Sequence, residues 1–187
     1  MTKRYRQWIG LVALSLGVFM ALLDVTIVNV ALPTMVRDFN ESFNNVQWVL
    51  NAYSLVLGVT LLIASKIGDM YGLKKIFVLS LGVFVLASAI NGLAPSLLVL
   101  DIGRGVQAIG GAGMNALAMA LVAISFKGGK RGVALGILGS VIGLSSASGP
   151  LVGGYLVAQF GWRSIFYVNI PIGIVAIILT LIYVDEV

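Results

Sequence analysis

The chain has 187 residues and a formal net charge of +5; 59% of its residues are hydrophobic and only 10% are charged. A soluble domain has roughly 45–50% apolar and about 25% charged residues, so this composition excludes an ordinary soluble protein and predicts one with several membrane spans. Cysteine and histidine are both absent, which excludes a disulfide framework, a thiolate metal site and chemistry based on histidine.

Six apolar segments follow one another along the chain, each long enough to cross a hydrocarbon core of about 30 Å. The predicted spans cover residues 8–32, 46–65, 76–94, 98–126, 132–158 and 164–184. The first is too long for a cleaved signal peptide and is followed by five more, so we expect it to remain as a span. The segments between them are predicted to be loops, among them "PTMVRDFNESFNN", "KIGDMYGLKK" and "KGGKR".

Basic residues are concentrated in alternate connections. Three lie before the first span, three between spans two and three, and three between spans four and five: Lys3, Arg4, Arg6, Lys66, Lys74, Lys75, Lys127, Lys130 and Arg131. By the positive-inside rule these connections are cytoplasmic, so we expect both termini in the cytoplasm and the chain in the inner (cytoplasmic) membrane. The basic charge therefore follows from topology, and no nucleic-acid partner is needed to explain it.

A short internal repeat relates the two halves of the chain. "GLKKIF" (72–77) and "GWRSIF" (161–166) match at four positions when the sequence is offset by 89 residues, that is 161 minus 72. The same offset carries the start of span one onto the start of span four and span three onto span six, and an odd number of spans inverts the second triplet. We therefore predict an all-α six-helix bundle over residues 1–187, with inverted repeats at about 8–94 and 98–184.

Span one contains an acidic residue, Asp24, within "LLDVTIVNVALP" (22–33). A stripe of small residues leads to it with helical spacing: Gly10, Ala13, Gly17 and Ala21. Because small residues allow close helix packing, Asp24 is expected to face protein or a cavity, where a carboxyl group can exist in its neutral form. An ionisable group at this depth is a functional hypothesis by default; the alternative is a structural hydrogen bond to a neighbouring helix.

Span four has the longer polar face, with Gln107 beside it: Asp101, Arg104, Ala108, Gly111 and Asn115. Arg104 stays charged and needs an anionic or hydrogen-bonding partner. Two partners fit. Asp101 lies three residues earlier on the same helix. Asp24 lies about 12 Å below the outer end of span one and Arg104 about 9 Å below the outer end of span four, so the two residues lie at similar depths in the membrane. A permanent Asp101–Arg104 pair without a mechanistic role is the structural alternative.

Span five is rich in glycine: Gly132, Gly136, Gly139 and Gly143, followed by "SGPLVGG" (148–154). Pairs of small residues four apart predict close helix packing, and Pro150 is expected to kink the helix. Ordinary membrane-helix packing would give much of the same pattern. In the loop before span three, Gly68 and Gly72 predict a tight turn, and Asp69 is placed to approach a helix N-terminus.

Five segments of the chain resemble motifs of the major facilitator superfamily, in family order: "LDVTIVNVALP" (23–33), "SKIGDMYGLKKIF" (65–77), "RGVQAIGGA" (104–112), "SGPLVGG" (148–154) and "GWRSIFYVNIPIG" (161–173). More narrowly, they are similar to the fourteen-span drug:proton antiporters of the EmrB/QacA-like group. The loop motif departs from the family pattern, because Ser65 replaces its usual first glycine, and Met70 and Leu73 stand where basic residues are common.

The resemblance implies a proton-coupled exporter of small amphipathic compounds that works by alternating access, with the proton gradient as its energy source and no cofactor. Asp24 and Arg104, with Asp101 nearby, would couple protons to transport. A loop containing Asp69, Gly72 and Lys74 would latch one conformation. The fifth-span motif would favour export over leak through its matching residues: Gly149, Pro150, Gly153 and Gly154.

The substrate path is expected to include polar and aromatic residues: Asn29, Trp48, Tyr53, Gln107 and Asn115. Transporters of this family have two such bundles, so we expect this chain to be the N-terminal half, a fragment of a longer transporter that pairs with a C-terminal half or a second copy. An accessory envelope protein is a further candidate partner. The rival interpretation is a non-transporting membrane scaffold; an enzyme is not expected, because no pair of facing catalytic aspartates is predicted.

Overall fold

A computed structural model describes residues 3–187, which form eight helices joined by short turns. In chain order the helices are α1 (Lys3–Phe39), α2 (Phe43–Val46), α3 (Trp48–Tyr71), α4 (Leu73–Gly92), α5 (Leu97–Ser125), α6 (Gly129–Phe160), α7 (Ser164–Tyr167) and α8 (Asn169–Tyr183). The pairs α2–α3 and α7–α8 each form one span, so six helices are long and apolar enough to cross a membrane. This confirms the predicted all-α, six-span architecture.

Several helices extend beyond the predicted spans. The predicted first loop is largely helical, since α1 runs through Pro33 to Phe39 and ends where Asn40 adopts a φ of 51°. The loop prediction for "KIGDMYGLKK" is also wrong: α3 continues to Tyr71 and α4 begins at Leu73. Gly72, with a φ of 107°, makes the whole turn. Hydropathy indicates only the part of a helix that crosses the hydrocarbon core. The helix itself continues into water until a residue that cannot stay helical ends it.

Gly68 is helical rather than a turn residue, contrary to the prediction, and its carbonyl oxygen accepts a hydrogen bond from the Gly72 N–H at 2.9 Å. Its open side faces Leu117 of α5, and a Cβ there would overlap that side chain. The glycine therefore allows α3 to approach α5 closely at this level.

Helices α1 and α5 form the centre of the bundle and contact each other. The first packs against α6 and α8, and the second packs against α3 and α4. Each triplet thus places its first helix against the middle helix of the other, as an inverted repeat predicts; the bounds of the two repeats stay a prediction. Helices α3 and α6 are the least buried spans.

Glycines create the closest helix contacts. A Cβ at Gly110 of α5 would lie 2.6 Å from the Ser80 carbonyl oxygen and 2.7 Å from the Phe84 nitrogen of α4. Gly149 and Gly153 of α6 face α1 in the same way, next to Thr26 and Ile27. These contacts are the ones expected of small residues in membrane helices.

The glycines in the first half of α6 differ from the prediction. A Cβ at any of them would meet nothing within 4 Å: Gly132, Gly136, Gly139 and Gly143. We call these four residues the open glycine face. No described helix packs closely on Gly139 and Gly143, because they lie on the exposed side of α6 while Ala134 and Leu138 occupy its buried side.

Both ends of α4 are capped by residues that flank the last span. The Glu186 carboxylate accepts hydrogen bonds from the Lys74 and Lys75 backbone N–H groups, each at 3.1 Å. At the other end Arg163 donates to the carbonyls of Gly92 (3.0 Å) and Ala94 (2.9 Å). A negative charge at a helix N-terminus and a positive charge at its C-terminus both stabilise the helix dipole.

Candidate functional site

Asp24 and Arg104 form an ion pair in the middle of the bundle. Asp24 lies on the buried face of α1 that also carries the predicted small residues, and it is 1% exposed. Arg104 of α5 is completely buried, and its Nη1 donates to Asp24 Oδ2. Of the two partners that the sequence allowed for Arg104, the structure brings Asp24 to it.

The second oxygen of Asp24 accepts hydrogen bonds from two amides. Gln107 Nε2 donates to Oδ1 at 3.2 Å from the next turn of α5, and Asn169 Nδ2 donates at 3.3 Å from the start of α8. With Arg104, three donors and no acceptor surround the carboxylate. An ionised carboxylate only accepts hydrogen bonds, so each of these donors meets an acceptor.

Arg104 makes further contacts that hold its guanidinium in place. Nε donates to the Val49 carbonyl oxygen at 3.0 Å, and Nη1 also donates to Gln107 Oε1 at 2.9 Å. The guanidinium carbon lies 4.2 Å from the ring centroid of Tyr53 and 5.9 Å from that of Phe166. Among the described residues, Arg104 Nη2 has no hydrogen-bond partner.

A second layer of buried polar groups surrounds the pair. Asn91 of α4 donates to Gln107 Oε1 at 2.9 Å, and Asn169 also donates to Ser88 Oγ at 3.0 Å. Ser88 Oγ donates in turn to the Phe166 carbonyl oxygen at 2.7 Å. Sequence reasoning assigned no role to these residues of spans three and six. The available signal was an amide, Asn169, one and a half turns into an apolar span.

Asp101 does not join the ion pair. It is half-buried on α5, and its Oδ1 has no hydrogen-bond partner among the described residues. The alternative of a permanent Asp101–Arg104 pair is therefore wrong. Within residues 3–187 no group of three acidic side chains could hold a metal ion.

The predicted latch residues lie at the end of the bundle that carries the chain termini, which we call the basic end. Asp69 is exposed in the last turn of α3 and makes no hydrogen bond within residues 3–187. Lys74 Nζ donates to the Leu181 carbonyl oxygen at 3.0 Å. The helix N-terminus at this turn is capped by Glu186, which the sequence reading missed, rather than by Asp69.

The predicted path residues fall into two groups. Tyr53 and Gln107 belong to the buried network around Arg104. Asn29 and Trp48 lie on the exposed surface, and Asn115 is half-buried on α5. The predicted fifth-span residues lie in the second half of α6, where Gly149 and Gly153 face α1 while Pro150 is exposed and Gly154 has open surroundings.

A groove of about 470 Å³ runs between α1 and α6 in the half of the bundle nearer the basic end. Its walls are almost entirely apolar: Trp8, Leu11, Val12, Ser15, Leu16, Phe19, Ile137 and Val141. Sequence reasoning missed it, because it depends on how α1 and α6 diverge. Its chemistry suits the apolar part of a small molecule.

Comparisons with known proteins agree with this architecture. The family model of the Major Facilitator Superfamily matches residues 14–187. The chain is 42% identical over 181 residues to the multidrug resistance protein Stp of Mycobacterium tuberculosis, covering 96% of this chain and 34% of that protein. It is 38% identical to the tetracenomycin C resistance and export protein of Streptomyces glaucescens (98% and 34% covered) and to the riboflavin transporter RibZ of Clostridioides difficile (93% and 38%).

Solved structures show the same fold at low sequence identity. A bacterial homolog of the human lysosomal transporter Spinster, inward-facing and occupied, superposes with a TM-score of 0.83 at 21% identity, covering all of this chain and 46% of that one. A peptide transporter POT gives a TM-score of 0.81 at 12% identity, with 97% and 41% covered. The chain spans about a third of the length of the curated relatives above. The match over nearly its whole length shows that this chain belongs to the Major Facilitator Superfamily.

Proposed function

We propose that the chain is the N-terminal half of a proton-coupled exporter of small amphipathic compounds, with Asp24 as its titrating group. The observation that carries this proposal is the completely buried Asp24–Arg104 pair, which joins the two central helices. Buried ionisable groups in membrane helices are costly, and breaking a buried pair costs about 3–5 kcal/mol. Because the superfamily consists of transporters, an enzymatic role is excluded.

In the proposed cycle a proton neutralises Asp24 and ends its charge attraction to Arg104. The arginine cannot lose its own proton, so it must find another acceptor. Asp101 lies one turn away on the same helix and is free of hydrogen bonds in the described chain. Exchange of Arg104 between these two acids would change how α1 and α5 pack, and so shift the balance between inward- and outward-facing states.

The substrate class follows from the groove and from the relatives. The apolar groove suits the apolar part of an amphipathic compound. Two of the relatives are named as drug-resistance or export proteins, and a third as a riboflavin transporter. We therefore propose a drug-like organic compound that moves outward past α1.

A complete path requires a second six-helix bundle, either a C-terminal half or a second copy. The open glycine face of α6 is the surface that we propose it covers, and Asp69 is free to latch onto it at the basic end. The positive-inside rule supports a cytoplasmic location for that end in the cell's inner membrane. An accessory envelope protein remains a candidate partner.

The test is proton-driven substrate uptake into everted vesicles that contain the complete transporter. Asp24→Asn is expected to reduce accumulation to the background level while leaving downhill movement detectable, because the variant cannot exchange a proton. Glu41→Gln is the matched control: it also neutralises a carboxylate, but on the exposed turn before α2, where within residues 3–187 the carboxylate of Glu41 accepts one hydrogen bond, from Asn45. Full accumulation by Asp24→Asn would remove Asp24 from the mechanism.

A further inference from the structure

The Asn169 amide is a polar group that the proposed cycle does not use. It lies at the start of α8 within "GWRSIFYVNIPIG" and is 1% exposed. Its Nδ2 donates both of its hydrogens, one to Asp24 Oδ1 at 3.3 Å and the other to Ser88 Oγ at 3.0 Å. It therefore links the carboxylate on α1 to α4 through the last span.

Ser88 determines which way this amide faces. The Ser88 hydroxyl has one hydrogen, and it is donated to the Phe166 carbonyl oxygen at 2.7 Å. Ser88 can therefore only accept from its other neighbours, so the side of Asn169 that faces it must be the nitrogen. The same nitrogen faces Asp24. Turning the amide over to accept a proton from Asp24 would set two acceptors against each other at Ser88.

We propose that Asn169 is a positioning residue that stabilises the ionised form of Asp24 and so sets the pH at which this half-transporter takes up its proton. The proposal rests on the proposed function. A donor held in place favours the charged carboxylate and opposes its protonation. Removing the donor should let Asp24 keep its proton to higher pH.

The other groups around Asp24 do not account for the role that is assigned to Asn169. The titratable side chains that face it are Arg104 from α5 and Tyr53 from α3. In the described chain the only polar contact to it from α8 is the neutral Asn169. The charged residues of α6, Lys130 and Arg131, lie in its first turn at the basic end.

The experiment is an infrared pH titration of the complete transporter in lipid. The carboxylic acid C=O band of Asp24 is identified by its loss in Asp24→Asn, and the pH profile of uptake is recorded in parallel. Asn169→Leu keeps the branched shape of the side chain but removes the donor, so both midpoints should rise by about one pH unit, as expected for one lost hydrogen bond to a charged group. Asn169→Ala carries the same prediction if the leucine variant does not fold.

Thr180→Val is the matched control. Thr180 is also buried on α8, its hydroxyl has no partner among the described residues, and it does not contact Asp24. Its midpoints should equal those of the unmodified protein. Unchanged or lowered infrared midpoints in the Asn169 variants would overturn the proposal. A raised infrared midpoint combined with uptake that is not proton-driven would support Asn169's role and refute the proposed function instead.

Discussion

Arg104 stacks on the ring of Tyr53, whose hydroxyl has no hydrogen-bond partner among the described residues. The ring is therefore the part of Tyr53 that contributes, through a cation–π contact worth about 2 kcal/mol when desolvated. Tyr53→Phe should transport like the unmodified protein, whereas Tyr53→Leu should lose most proton-driven accumulation because the guanidinium is no longer held. Everted-vesicle uptake compares the two; a severe defect in the phenylalanine variant would show that the hydroxyl is required.

The central pair could be predicted from sequence, but its surroundings could not. Asp24 and Arg104 are charged residues in apolar spans. Burying a charge in a membrane is costly, so such residues can be recognised as functional candidates from the sequence. Asn169, Asn91 and Ser88 are neutral and individually inexpensive, so a polar group within an apolar span is only a weak signal for their role. Their role depends on three-dimensional proximity: Asp24, Ser88 and Asn169 lie on three different helices.

At the level of helices, α4 and α5 approach to backbone contact at Gly110. Because a Cβ at Gly110 would lie within 3 Å of backbone atoms of α4, Gly110→Ala must separate the two helices. We expect a lower thermal unfolding temperature and weaker transport, since Arg104 and Gln107 lie one to two turns away on α5. Gly82→Ala on α4 is the control, because a Cβ there meets nothing within 4 Å.

Equal unfolding temperatures for the two alanine variants, measured on the purified transporter, would contradict this account of the contact.

Hydropathy predicts that the helices exist, whereas other signals are needed to predict the residues at which they begin and end. Ser42 and Ser96 are N-caps that accept hydrogen bonds from Asn45 and Val99, and serine before a helix is a readable signal. Gly72 was recognised as a turn residue, but its neighbours continue both helices instead of forming a loop. The cap on α4 comes from Glu186, more than 100 residues later, and no local pattern announces it.

At the scale of the whole molecule, the last span holds the bundle together. The residues that flank it, Arg163 and Glu186, cap the two ends of α4, and Asn169 within it contacts Asp24. Arg6 adds an ion pair with Asp185 at 3.1 Å, which joins the two termini at the basic end. These contacts leave α3 and α6 as the least constrained spans, so the surface available to a second bundle is the one that they present.

The open glycine face gives the final prediction, which concerns assembly. Gly139→Leu adds a side chain where the bundle itself has nothing within 4 Å, so the unfolding temperature of the chain should not change. If a second six-helix bundle packs closely on this face, the added bulk should reduce co-purification of the variant with a differently tagged C-terminal half or second copy several-fold. Gly82→Leu, equally open but on α4, should co-purify normally. Undiminished association of the Gly139→Leu chain would mean that the second bundle binds elsewhere, and that these glycines face lipid.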